Sequence, residues 1–302
     1  MALIVLAADK GAPGVTTAAT ALGAVWPRPV LLAECDPAGG DLAYRLPGAD
    51  GGVLNPARGL LSLGAVARRG LHAEQILEHT QKLVGGLDVL AGLANGEQAA
   101  GLTWLWGPLG RSLAALPHTD VLADCGRLGA HPEVNELLAA ADQVVLFTRP
   151  SLDHVAHLRE RLALLKRPVG VVVIADPRSY RASLDEVRRI VSGWEVSFVG
   201  GLAYDPKGAE LLRGQWGGRL DRSLLIRTAR ELANRLAGRV APEPEPGPDQ
   251  GPVPGSRSAR HRSANGYPPG YSANGYPVNG YPPDGYPRPG TPIVPGQREE
   301  TP

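Results

Sequence analysis

Six short runs of almost unbroken apolar residues punctuate the chain, at 3–7, 30–33, 121–123, 143–147, 169–174 and 196–199. None alternates polar with apolar positions, so each reads as a strand covered on both faces, and together they predict a parallel sheet between layers of helix. Helical patterns fill the gaps. Residues 16–25 are helix formers until Trp26-Pro27 stops them, and Leu152, Val155, Leu158, Leu162 and Leu165 recur at helical spacing before Arg167-Pro168. Ser183 with Glu186 predicts a capping box for a helix running through Val191. Leu224, Thr228, Leu232 and Leu236 predict one stripe of a last helix that ends near Gly238. This repeated order of strand, helix and strand predicts an α/β fold, a doubly wound, mostly parallel sheet with helices on both faces.

The pattern stops at about residue 240. Of 29 prolines, 16 lie in residues 241–302 with ten glycines, and aliphatic side chains almost vanish there. Such a stretch buries too little apolar surface to offset the entropy of ordering it, so the chain divides into one ordinary α/β-sized domain at 1–240 and a disordered tail at 241–302. The tail opens on an acidic linker at 241–248 and continues with Arg257, Arg260, His261 and Arg262. Asn-Gly-Tyr-Pro then begins at Asn265, Asn274 and Asn279, and Asp-Gly-Tyr-Pro at Asp284. These repeats are too short to stack as a solenoid; they read as a flexible spacer or as tyrosine contacts for a protein partner.

A formal net charge of +1 excludes a strongly basic nucleic-acid binder and leaves non-specific DNA binding to a local patch. No apolar run of about 18 residues predicts a transmembrane segment. The apolar N-terminus lacks a positive leader region and runs straight into Asp9 and Lys10, so no signal peptide is expected. Cys35 and Cys125 are too few for a disulfide framework or a zinc site and read as small buried hydrophobes of a reducing compartment. A cytoplasmic location is expected, with any recruitment to a membrane or polar complex through a partner.

Candidate chemistry starts where the first strand runs out, at Asp9-Lys10-Gly11-Ala12-Pro13-Gly14-Val15-Thr16-Thr17. A strand, a glycine-containing loop and a helix start present unpaired N–H groups and a helix dipole to an anion. Gly11 and Gly14 let the backbone approach a phosphate, and Thr16 is placed to reach a magnesium ion. The segment resembles the deviant Walker A motif of the ParA/MinD family of P-loop ATPases. The resemblance puts the family's signature lysine on Lys10, its magnesium-binding hydroxyl on Thr16 and the following threonine on Thr17. Two positions depart from the pattern. Val15 stands where the family carries the lysine that reaches the β- and γ-phosphates, and Ala12 replaces a glycine. Losing that cation removes a contact that strengthens as phosphoryl transfer proceeds, so hydrolysis is expected to be weak or absent.

Further along, Glu34-Cys35-Asp36-Pro37-Ala38-Gly39 is similar to the family's acidic segment after the P-loop helix. It would make Asp36 the residue that orients water and the magnesium shell. Asp124, in 121–126, falls on a Walker B-like position that would hold magnesium through water. Residues 140–151 resemble the family's strand and helix entry, and Tyr204-Asp205-Pro206-Lys207 its loop beside the base. An asparagine that often precedes that loop is replaced by Ala175-Asp176, which leaves adenine and guanine both open.

The resemblance covers about residues 1–240. It implies ATP or ADP with Mg2+ as ligands, Lys10 and Asp36 in any catalysis, and a nucleotide-dependent homodimer in which Lys10 reaches the partner's nucleotide. Family members partition chromosomes, place the division site or localise pili and other machines, and a degenerate Walker A motif occurs in the pilus-localising branch. A non-hydrolysing adaptor that recruits partners through the Tyr-Pro tail is the alternative. Trp104 and Trp106 read as core or edge packing, His154 and His157 as exposed helix positions, and the arginines at 219, 222, 227, 230 and 235 as the solvent face of a helix packed on the sheet.

Overall fold

A computed structural model describes residues 1–129, 133–165, 167–214 and 219–239. The tail at 241–302, with its linker, basic patch and tyrosine repeats, lies outside the described residues. The strands are β1 (Leu3–Ala8), β2 (Val30–Glu34), β3 (Gln81–Lys82), β4 (Asp88–Leu90), β5 (Asp120–Arg127), β6 (Gln143–Thr148), β7 (Val169–Ala175) and β8 (Val196–Ala203). They form one sheet in the order β3-β4-β2-β5-β1-β6-β7-β8, parallel except for the β3–β4 edge pair. All six predicted strands are present; β3 and β4 are too short to have a periodicity of their own.

On one face of the sheet pack α3 (Leu60–Ala67), α4 (Ala73–Glu78), α5 (Gly96–Gly101), α6 (Trp106–Ala114), α7 (Asn135–Ala140), α8 (Leu152–Leu165) and α9 (Tyr180–Ile190). On the other lie α1 (Val15–Ala24), α2 (Leu42–Arg45), α10 (Pro206–Leu212) and α11 (Leu224–Arg239). The central strand shows why its residues are apolar throughout: Leu3, Val5 and Ala7 enter one core, and Ile4, Leu6 and Ala8 the other. Asp120 at the root of β5 is completely buried, yet saturated. It accepts from the Ala2 amide, the Trp26 indole and Arg28, and so ties the end of α1 to the sheet.

Two helix predictions need correction. α9 begins at Tyr180, so Ser183 is inside the helix rather than its cap; Tyr180 belongs to the same buried stripe as Leu184 and Val187, and burying it extends the helix by a turn. In α11 the buried stripe is Leu225, Ala229, Leu232 and Leu236. Leu224 is exposed, and the Thr228 hydroxyl instead accepts from the Ala203 amide at 3.0 Å. The arginines of α11 are partly engaged: Arg235 and Arg239 flank the Phe198 ring, each 5.1 Å from its centroid. Trp106 is buried as expected, while Trp104 is partly exposed beneath Arg68. Among the described residues no helix is long and apolar enough to cross a membrane.

Candidate functional site

β1 lies between β5 and β6, and the chain passes from β1 to β2 on one side and from β5 to β6 across it. The carboxyl ends of the central strands therefore open into a crevice, the usual ligand position in open α/β sheets. The 9–17 loop sits at its centre. Gly11 and Gly14 have φ of +66° and +109°, conformations that a side chain would strain. Gly14 is the N-cap of α1 and offers no side chain, and no acidic residue occupies the first turn. The opening amides of α1 are therefore free of side-chain caps, as an anion would require. Val15, the first helical residue, is only 5% exposed and belongs to the core on the α1 face. Lys10 is exposed.

Three acids converge from the neighbouring strand ends. Glu34 pairs in register with Asp124 across β2 and β5. Its carboxylate accepts from the Asp41, Leu42 and Gly92 amides, so it is a fastener for the loops after β2 and β4. Burial raises its pKa. Asp36 accepts from the Ala38 amide and rests against Gly126, where a Cβ would collide with the Asp36 carboxylate. Burial raises Asp36 as well, opposed chiefly by the hydrogen bond from the Ala38 amide. Asp124 is 1% exposed; Oδ1 accepts from the Gly126 amide at 3.0 Å, whereas Oδ2 has no hydrogen-bond partner. Burial pushes its pKa up to about 7, opposed chiefly by the nearby Thr16 hydroxyl. Cys35 and Cys125 are fully buried, and burial raises both thiols, which fits small hydrophobes rather than reactive groups.

The orphaned Asp124 oxygen beside a hydroxyl at a helix start suits a hydrated divalent cation. Among the described residues no cluster of three His, Cys, Asp or Glu side chains could hold a metal. A magnesium ion here would thus depend on Thr16, on Asp124 and Asp36 through water, and on ligand phosphates, the mode this hard cation favours.

Beside the loop lies a cleft of about 340 Å³ walled by Ala12, Pro13, Gly14, Thr17, Arg149 and 203–206. The structure thus brings Tyr204, Asp205 and Pro206 to the loop, and Asp205 has a structural role as well. Its carboxylate accepts from the amides of Gly208, Leu224 and Leu225, capping α10 and α11 together, and is spent on structure. Pro206 opens α10. Lys207 is exposed. Asp176 is exposed and caps its own turn through the Arg178 amide.

Three residues given no role from sequence also reach the site. Arg161, on the buried side of α8, pairs with Asp9 at 2.5 Å and donates to the Leu128 and Gly129 carbonyls. His154, expected to be exposed, is half-buried because its ring packs on the Gly11 backbone, with Nδ1 unpartnered; His157 is exposed as expected. Arg149 stands over the Tyr204 ring, its guanidinium carbon 4.3 Å from the centroid. A cation among the leucines of α8 was the available signal for Arg161; nothing local marked His154 or Arg149.

The fold is a doubly wound α/β domain with its crevice at the carboxyl ends of the central strands. Its architecture is that of the ParA and MinD ATPases. A ParA family ATPase from Chlorobium tepidum TLS superposes with a TM-score of 0.61 at 20% identity, over 77% of this chain and 98% of its own. The septum site-determining protein MinD from Pyrococcus horikoshii OT3, complexed with Mg-ADP, gives 0.56 at 19% identity over 80% and 98%. A plasmid partition protein from Borrelia burgdorferi B31 bound to AMPPNP gives 0.59 at 13% identity over 79% and 99%. No family model and no curated protein matches the chain.

Proposed function

We propose that the chain is a positioning or assembly factor of the ParA/MinD type that binds ATP or ADP with Mg2+ and hydrolyses it weakly or not at all. The observation that carries this reading is the split character of the loop. Its uncapped amides and the Thr16–Asp124 pair suit a magnesium polyphosphate, while the helix position that would carry the transfer cation is a buried valine. Fold neighbours described as septum site-determining and plasmid partition proteins, two of them with Mg-ADP or AMPPNP, support a nucleotide-driven positioning role.

Calorimetry of ATP, ADP and GTP with Mg2+, on the wild type and Val15→Lys, tests it. The wild type is expected to bind at least one nucleotide without measurable turnover, and the lysine variant to bind more tightly. Absence of wild-type binding at millimolar nucleotide, with binding gained in Val15→Lys, would leave the adaptor reading in its place. The nucleotide-bound state is proposed to dimerise through Lys10, whose exposure leaves it free to reach a partner. Lys10→Ala should then shift the nucleotide-bound species toward monomer in light scattering, and an unchanged dimer removes that role. Non-specific DNA binding, if present, will weaken steeply with salt, because phosphate contacts release counterions.

A further inference from the structure

We infer that Arg149 supplies, from the opposite wall of the cleft, the cation toward ligand phosphate that the loop lacks at Val15. The inference rests on the nucleotide reading above and adds to it the residue that holds the polyphosphate.

Arg149 follows the last residue of β6, the strand beside β1, and Tyr204 follows the last residue of β8, two strands further out. The guanidinium thus spans the crevice. Its Nη2 approaches the Pro13 carbonyl of the loop at 3.4 Å, and its guanidinium carbon lies over the Tyr204 ring. Stacking on tyrosine fixes an arginine's direction without neutralising it. A guanidinium has five N–H donors, and among the described residues the Pro13 carbonyl is the acceptor found for Arg149. The remaining donors are unspent at a half-buried position, within reach of the uncapped start of α1. Two acids line this cleft: Asp205 is held by three amides, and Glu210 makes no hydrogen bond or ion pair with Arg149. A fixed, incompletely paired cation facing a helix N-terminus is the arrangement that a polyphosphate completes.

Binding of ATP, adenosine and inorganic tripolyphosphate to the full chain with Mg2+ distinguishes phosphate from base contact. Arg149→Met should weaken ATP and tripolyphosphate in parallel, by about ten- to a hundred-fold as expected for a lost charge-assisted contact, and leave adenosine unchanged. Arg149→Lys keeps the charge and should lose only a few-fold; it also serves if the methionine variant is unstable. Equal ATP affinity in wild type and Arg149→Met overturns the inference while the nucleotide reading stands. A loss shared equally by adenosine makes Arg149 a base-stacking residue and also overturns it. If the wild type binds neither ATP nor tripolyphosphate, the nucleotide reading falls and takes this inference with it.

Discussion

Arg161→Ala is expected to destabilise the domain by about 3–5 kcal/mol, the usual result of removing one partner from a buried ion pair. The Arg161 and Asp9 side chains are 8% and 14% exposed, so little solvent is available to stabilise Asp9 alone. The substitution also strands the Leu128 and Gly129 carbonyls and removes the packing of the arginine stem. Arg161→Met restores most of the stem, and its difference from alanine in urea unfolding separates packing from charge. A double replacement of Arg161 and Asp9 by methionine and leucine should recover much of the loss, since two apolar groups leave no unpaired charge. A loss below about 1 kcal/mol in Arg161→Ala would mean that water already reaches the pair. Because Asp9 directly precedes Lys10 and Gly11, the alanine variant should also lose ligand affinity at the loop.

Asp124→Asn is expected to stabilise the ligand-free protein increasingly between about pH 4 and 7, with the gain level above that. Burial pushes the native carboxyl from its ordinary 3.8 up to about 7, so the unfolded chain releases this proton first as pH rises. Wild-type stability therefore falls across that interval relative to a neutral isostere, and each unit of displacement is worth about 1.4 kcal/mol. Asparagine can still accept from the Gly126 amide. Thermal midpoints of the two proteins at pH 5 and pH 8 measure the difference; a gap that does not widen with pH shows that Asp124 is not destabilised by burial. The same variant should lose the magnesium dependence of nucleotide binding. Stability and function then move in opposite directions, as expected of a site that stores a costly group for its ligand.

How far the sequence revealed the molecule depended on the range of the forces involved. β1, β5, β6 and β7 are buried on both faces, and their unbroken Val, Leu and Ile runs make them legible without neighbours. The loop with Gly11 and Gly14 was legible because backbone conformation requires those residues locally. The capping role of Asp205 was not legible because its partners, Leu224 and Leu225, lie about 20 positions away and are backbone groups, which leave no trace in a motif. Arg149 and His154 acquire meaning only after the sheet order puts β6 next to β1 and lays α8 on the loop. The helices of 60–114 are short, too short for a clear apolar period, and each buries only a few residues on the sheet face beneath it.

The shared cap formed by Asp205 couples the cleft wall to α11. The wall that carries Tyr204 and the first turn of α11 are fastened to the same carboxylate. A ligand that pushes Tyr204–Pro206 outward must either carry the start of α11 with it or break the hydrogen bonds to Leu224 and Leu225. α11 is the last helix among the described residues, so a ligand that shifts this wall would act on the sixteen-residue helix that precedes the tyrosine-rich repeats in the sequence.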